Sequence, residues 1–276
     1  MKQFKPFPIF ANDPSPKLEP DRQRLRSEFG KKRDLPMIRW IDNKLPLINE
    51  VTIDARPSEA QKNYENAVVG QLATVYSNPV GKMVIDQLDL IGEEVWIIPF
   101  EIGNTNDCGC AAFTFPGDPK ARGGNRIYYD PRWYASGNKW IGSDDVLLHE
   151  LVHAYRMARL GYFHLKEKPI NNFENGEEFL ATQIQNVYLG YGGSSLFYKT
   201  YSPLTRSPKT DVYDFISHNE GTLAAFRYFI DTERIARIIS RWPAPQFNPF
   251  RDFGDLNSAY LDYMKVNGYN SNYLPY

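Results

Sequence analysis

Short apolar runs broken by turn residues fill the first half of the chain, and apolar positions at helical spacing dominate the second. Pro57 opens a predicted helix with Ser58 and Glu59 in its first turn and Ala67, Val68, Leu72 and Val75 on one apolar face. Asn78–Pro79 breaks that face, and a second helix is expected over Val80–Leu90. Met37–Asp54 reads as two strands and a turn, and Glu94–Phe100 as a buried strand. Asn125-Arg-Ile-Tyr-Tyr-Asp130 reads as a short strand stopped by Pro131. Glycine and proline make Glu101–Gly124 a long loop around Cys108 and Cys110.

The strongest helical signal follows. Ser143 is placed as an N-cap, Asp144 and Asp145 lie in the first turn where the helix dipole favours negative charge, and Gly161 supplies a stop. Further helices are expected at Glu177–Leu189, Thr222–Ile230 and Asp231–Arg241, the second preceded by Ser217 and Glu220 in capping-box spacing. Residues 1–22 carry five prolines and no apolar period, and read as an extended N-terminal arm or linker. The remainder, 23–276, reads as one α+β domain with its strands first and a mostly helical C-terminal half.

Composition narrows the function classes. A formal net charge of −1 supplies no basic excess to neutralise phosphates, which argues against nucleic acid as the partner. No apolar run is long enough to cross a bilayer, and Pro6 and Pro8 interrupt the one N-terminal apolar stretch that would otherwise resemble a signal-peptide core. Cys108 and Cys110 are the two cysteines of the chain. One intervening residue would strain a disulfide, so two free thiols are expected, and a four-cysteine zinc site is excluded by count.

Chemistry concentrates in Leu147-Leu-His-Glu-Leu-Val-His-Ala-Tyr-Arg156. His149 and His153, four apart on a helix, place both imidazoles on one face, where they can share a tetrahedral metal. Glu150 is one step round the helix, suited to act on a metal-bound water as general base. Three fixed residues at this spacing recur by chance on the order of once in a hundred chains of this length, so context matters. Two of the four histidines in the chain fall here, mid-helix, with Leu147, Leu148, Leu151 and Val152 giving the helix a buried side. Zn2+ is the metal that this ligand chemistry implies.

A catalytic zinc needs a third protein ligand and an open position. A histidine continuing the motif is ruled out, because Arg156 and Arg159 occupy those places. A glutamate from the Glu177–Leu189 helix is the expected ligand, with Glu178 the first choice and Glu177 the alternative. Ala181 and Thr182 are small enough to let that helix approach closely. His218 and Tyr188 are candidates to stabilise the transition state, in competition with Tyr191, Tyr198, Tyr201 and Arg206. His164, just after the metal helix, reads as a surface residue. A non-catalytic zinc-binding module that holds a protein partner in its cleft is the other class to consider. It would have no need of Glu150.

The stretch from about Gly123 to Tyr191 resembles the metallopeptidase domains of bacterial secreted effectors and polymorphic toxins. These include domains fused to type VI VgrG spikes and type III effectors that cut host kinases. Arg126-Ile-Tyr-Tyr-Asp-Pro131, Val146-Leu-Leu-His-Glu-Leu-Val-His-Ala154 and Glu177-Glu-Phe-Leu-Ala-Thr-Gln-Ile-Gln-Asn-Val-Tyr188 carry the likeness. Leu189-Gly-Tyr-Gly-Gly departs from the Arg-Ser-Glu that often follows in that family.

The resemblance implies a zincin-like fold, with a small mixed or antiparallel sheet packed on the metal helix. It implies His149, His153 and Glu178 as zinc ligands and Glu150 as base. It also implies that Ile127, Tyr128 and Tyr129 pair with an extended substrate backbone. The implied partners are a protein or peptide substrate, a cognate immunity protein and a secretion spike or adaptor, with export by a specialised route into a target cell.

Overall fold

The computed structural model describes residues 38–40, 59–92, 95–99, 112–115, 125–131, 142–160, 170, 173–200, 205–208 and 220–252. The expected arm at 1–22, the cysteines, His164, Ser217 and His218 lie outside these residues. So do Tyr201 and most of the predicted Met37–Asp54 strand pair.

In chain order the elements are β1 (Ile38–Trp40), α1 (Glu59–Ser77), α2 (Pro79–Ile91), β2 (Val95–Pro99), β3 (Ala112–Phe115), β4 (Asn125–Tyr129), α3 (Ser143–Leu160), α4 (Gly176–Tyr191), β5 (Leu196–Thr200), β6 (Thr205–Pro208), α5 (Glu220–Thr232) and α6 (Arg234–Ile239). Asn78 ends the α1 face and caps α2, its side chain accepting from the Val80 amide at 3.0 Å, and Gly92 closes α2 at φ 88°. The described residues therefore form an α+β fold in which helix predominates.

Four strands make one mixed sheet in the order β1-β2-β4-β3. β1, β2 and β4 run parallel, and β3 is antiparallel to β4 at the edge. A parallel pair needs a crossover, which α1 and α2 provide between β1 and β2. Asn125, Ile127 and Tyr129 alternate onto the buried face of β4, towards α3. The Asn125 amide donates to Ala154 O at 3.2 Å and the Tyr129 hydroxyl to Ser143 O at 2.7 Å, so β4 and α3 run in opposite directions.

Three strands were not expected from the sequence. β3 falls inside the predicted Glu101–Gly124 loop, and β5 pairs antiparallel with β6 as a hairpin after α4. Ser143, expected as a cap, lies within the first turn of α3. The Asp231–Arg241 prediction shortens to α6, with Glu233 at its N-cap.

A correction concerns β4. Ile127, Tyr128 and Tyr129 cannot add a substrate strand, because β2 occupies one backbone edge of β4 and β3 the other. Among the described residues, the strand of this sheet that lies against α3 with a single paired edge is β3.

Candidate metal centre

Helices α3 and α4 pack antiparallel, and a polar seam runs between them. Tyr188 meets Asp144, Gln185 meets Asp145 and His149, Glu178 meets His149 and His153, and Glu177 meets Arg156. His149, His153 and Arg156 are spaced i, i+4 and i+7, which aligns them along one stripe of α3. Leu147, Leu148, Leu151 and Val152 are fully buried around that stripe.

His149 Nε2, His153 Nε2 and a Glu178 carboxylate oxygen converge to within 4.8 Å of one another. The two imidazole nitrogens are 3.0 Å apart, His149 Nε2 is 3.0 Å from Glu178 Oε2, and His153 Nε2 is 3.3 Å from Glu178 Oε1. Ligand atoms about 2.0–2.1 Å from a tetrahedral zinc lie roughly 3.3 Å apart, so this spacing fits a small ion. The tautomer fits as well. The Gln185 amide donates to Asp145 O at 3.1 Å, which turns its carbonyl oxygen to His149 Nδ1 at 3.3 Å. In a metal-bound centre Nδ1 would then carry the proton and leave the Nε2 lone pair for the ion.

Glu178 is placed by the start of α4. Asn175 caps the helix, its side chain accepting from the Glu178 amide at 3.0 Å. Burial alone would raise the Glu178 pKa, but the charge on His153 and hydrogen bonds from both imidazoles hold the carboxyl well below its usual range. His153 mirrors this. Burial acts to lower its pKa, and the Glu178 charge and hydrogen bond, with Glu150 and Glu177 beyond, outweigh it and raise the value to about 9.

Glu177, the alternative third ligand, is engaged elsewhere. Arg156 Nε donates to one of its oxygens at 2.8 Å and Nη2 to the other at 2.7 Å. Arg156 Nη1 also pairs with Glu233, which in turn holds Arg159. Arg156 and Arg159, which occupy the places of the continued motif, thus share Glu233, Arg156 buried and Arg159 at the surface.

Glu150 is buried beside the histidines, and the Thr114 hydroxyl of β3 donates to its Oε2 at 2.6 Å. Thr114 lies opposite Ile127 in the sheet register, so the two share the face turned to α3. Sequence reasoning missed Thr114. Its signal was the brief Ala112-Phe-Thr-Phe115 alternation, hidden within a segment of loop composition.

Tyr188 does not reach the centre. It follows Glu178 by ten residues, about 15 Å along the helix, and its hydroxyl donates to Asp144 Oδ2 at 2.5 Å. Burial, together with Asp144, pushes its pKa well above the usual tyrosine value, so it stays a neutral donor to that carboxylate. Tyr198 donates to Asp145 Oδ2 at 3.1 Å and Tyr191 to Ala244 O at 2.7 Å, so both hydroxyls serve packing contacts.

No protein-family model, curated protein or solved structure matches the chain. No described helix is long and apolar enough to cross a membrane.

Proposed function

We propose that the chain is a zinc-dependent metallopeptidase of the zincin type, with His149, His153 and Glu178 as ligands and Glu150 as general base. The observation that carries this reading is the convergence of the three donor atoms beside a buried carboxylate. Bound there, zinc would lower the pKa of a water towards neutrality and polarise the scissile carbonyl. Glu150 takes a proton from the attacking water and delivers it to the leaving amine as the carbon–nitrogen bond breaks. Thr114 engages one oxygen of Glu150 and so fixes the plane in which the other works. Gln185 holds His149 in the tautomer that binds metal.

The substrate is a polypeptide in extended form, added to the edge of β3 that no described strand pairs. The mixed sheet, with an antiparallel edge strand against the metal helix, supports this mode of binding and the zincin-type architecture. The likeness of Gly123–Tyr191 to effector and toxin peptidases supports delivery into a target cell by a specialised secretion route, with a spike or adaptor as carrier and an immunity protein in the producer. The buried base argues against a module that merely holds a partner.

The test is Glu150→Gln, assayed on a library of unstructured peptides. Zinc should be retained and cleavage abolished; cleavage at the wild-type rate would refute the mechanism.

A further inference from the structure

Adjacent residues on a helix point about 100° apart, and Glu177 and Glu178 meet different partners. Glu178 faces the histidines, while Glu177 turns along the seam to Arg156. Arg156 stands three residues beyond His153 on the same stripe of α3. The first turn of α4 is therefore held to the metal helix at two consecutive positions. One is the glutamate beside the histidines, and the other is a bidentate arginine–carboxylate pair.

We infer that Arg156 and Glu177 are positioning residues for the metal ligand Glu178. The inference rests on the metal-centre reading above and concerns what sets its affinity. A planar guanidinium bonded through Nε and Nη2 fixes both distance and rotation of the Glu177 carboxylate, which a single bond would not. The pair is almost wholly buried, with Arg156 and Glu177 side chains 1% and 2% exposed, so water does not compete for it. Glu233 receives Arg156 Nη1 and also holds Arg159, which anchors the clamp to the junction of α5 and α6. The Asn175 cap constrains the Glu178 backbone along α4, and the clamp constrains where that turn sits against α3.

Two variants separate positioning from stability. Glu177→Gln keeps one oxygen for Arg156 and loses the paired grip. Arg156→Met/Glu177→Met replaces both charges by apolar side chains of similar length, which buried ion pairs often tolerate. Each is compared with wild type and Glu178→Gln for zinc affinity by chelator competition at one pH, and for the ligand-field spectrum of the Co2+ form. Folding of each metal-free protein is followed by near-ultraviolet circular dichroism and melting.

Both clamp variants should fold and melt cooperatively. Their zinc affinity should fall roughly 10- to 100-fold, the range typical for lost outer partners of metal ligands. The Co2+ spectrum should shift in the direction given by Glu178→Gln. Wild-type affinity and spectrum in either folded variant would overturn the inference. Failure of Glu177→Gln to fold would also overturn it, by making the pair a stability element. A wild-type protein that binds no zinc would refute the metal-centre reading itself, and this inference with it.

Discussion

The hydroxyl of Thr114 donates to Glu150 Oε2 at 2.6 Å, joining the edge strand β3 to a carboxylate of α3. The strand proposed to receive substrate and the proposed base are therefore in direct contact. In the proposed mechanism, main-chain pairing along β3 and proton transfer by Glu150 would be linked through this hydrogen bond.

Thr114→Val removes that link and keeps side-chain shape. A hydrogen bond to a charged group is worth about 1.5–3 kcal/mol, which corresponds to roughly 10- to 100-fold in rate. The expected outcome is a loss of that size in kcat with zinc content unchanged, and recovery in Thr114→Ser. Steady-state kinetics on one cleaved peptide, with metal analysis of each preparation, check it.

Gln185 offers a second handle on the centre, from the opposite side to the Arg156 clamp. Replacing it with leucine removes the Gln185 carbonyl from His149 Nδ1 and the Gln185 amide from Asp145 O. Zinc affinity should fall by about 10- to 100-fold through loss of the ring's orientation and tautomer. Chelator competition reads the change directly.

Metal-free protein should show a pH dependence set by the His153–Glu178 pair. The His153 pKa is raised from 6.5 to about 9, so its contribution is fully present below 6.5 and is lost as pH rises through 9. Glu178 is held below its ordinary 4.5, so its contribution is fully present above 4.5 and is lost as pH falls below it. Thermal stability of the apo form should therefore be greatest between these two ordinary values and decline towards pH 9. Zinc binding must displace the His153 proton, so zinc affinity should climb with pH up to about 9. Melting curves and zinc titrations across this range test both, and a flat response in His153→Ala assigns the effect.

The helices that carry the site were legible because their signals are local. His149, Glu150 and His153 state their geometry by spacing alone, and the acidic pair Glu177–Glu178 marks the start of α4, whereas the Asn175 cap emerged only in the structure. The choice of Glu178 over Glu177 was not local, because it depends on Arg156 claiming the neighbouring carboxylate across the seam. β3 was illegible because four residues of alternation cannot outweigh flanking cysteine, glycine and proline, and its pairing partner β4 begins only at Asn125. The same distance effect made β4 look like an open strand. Its Ile127–Tyr129 pattern shows a buried face but not how many neighbours the strand has. Tyr188 looked available for catalysis because sequence shows that it shares a helix with Glu178 and not its partner, Asp144.

The most direct test of the centre is the metal content of protein purified without chelator, wild type beside Glu178→Ala. The wild type should carry stoichiometric zinc, and Glu178→Ala should lose it while remaining folded. Stoichiometric zinc in Glu178→Ala, or none in a wild type supplied with zinc, would contradict the assignment of His149, His153 and Glu178 as the ligands of a metal site.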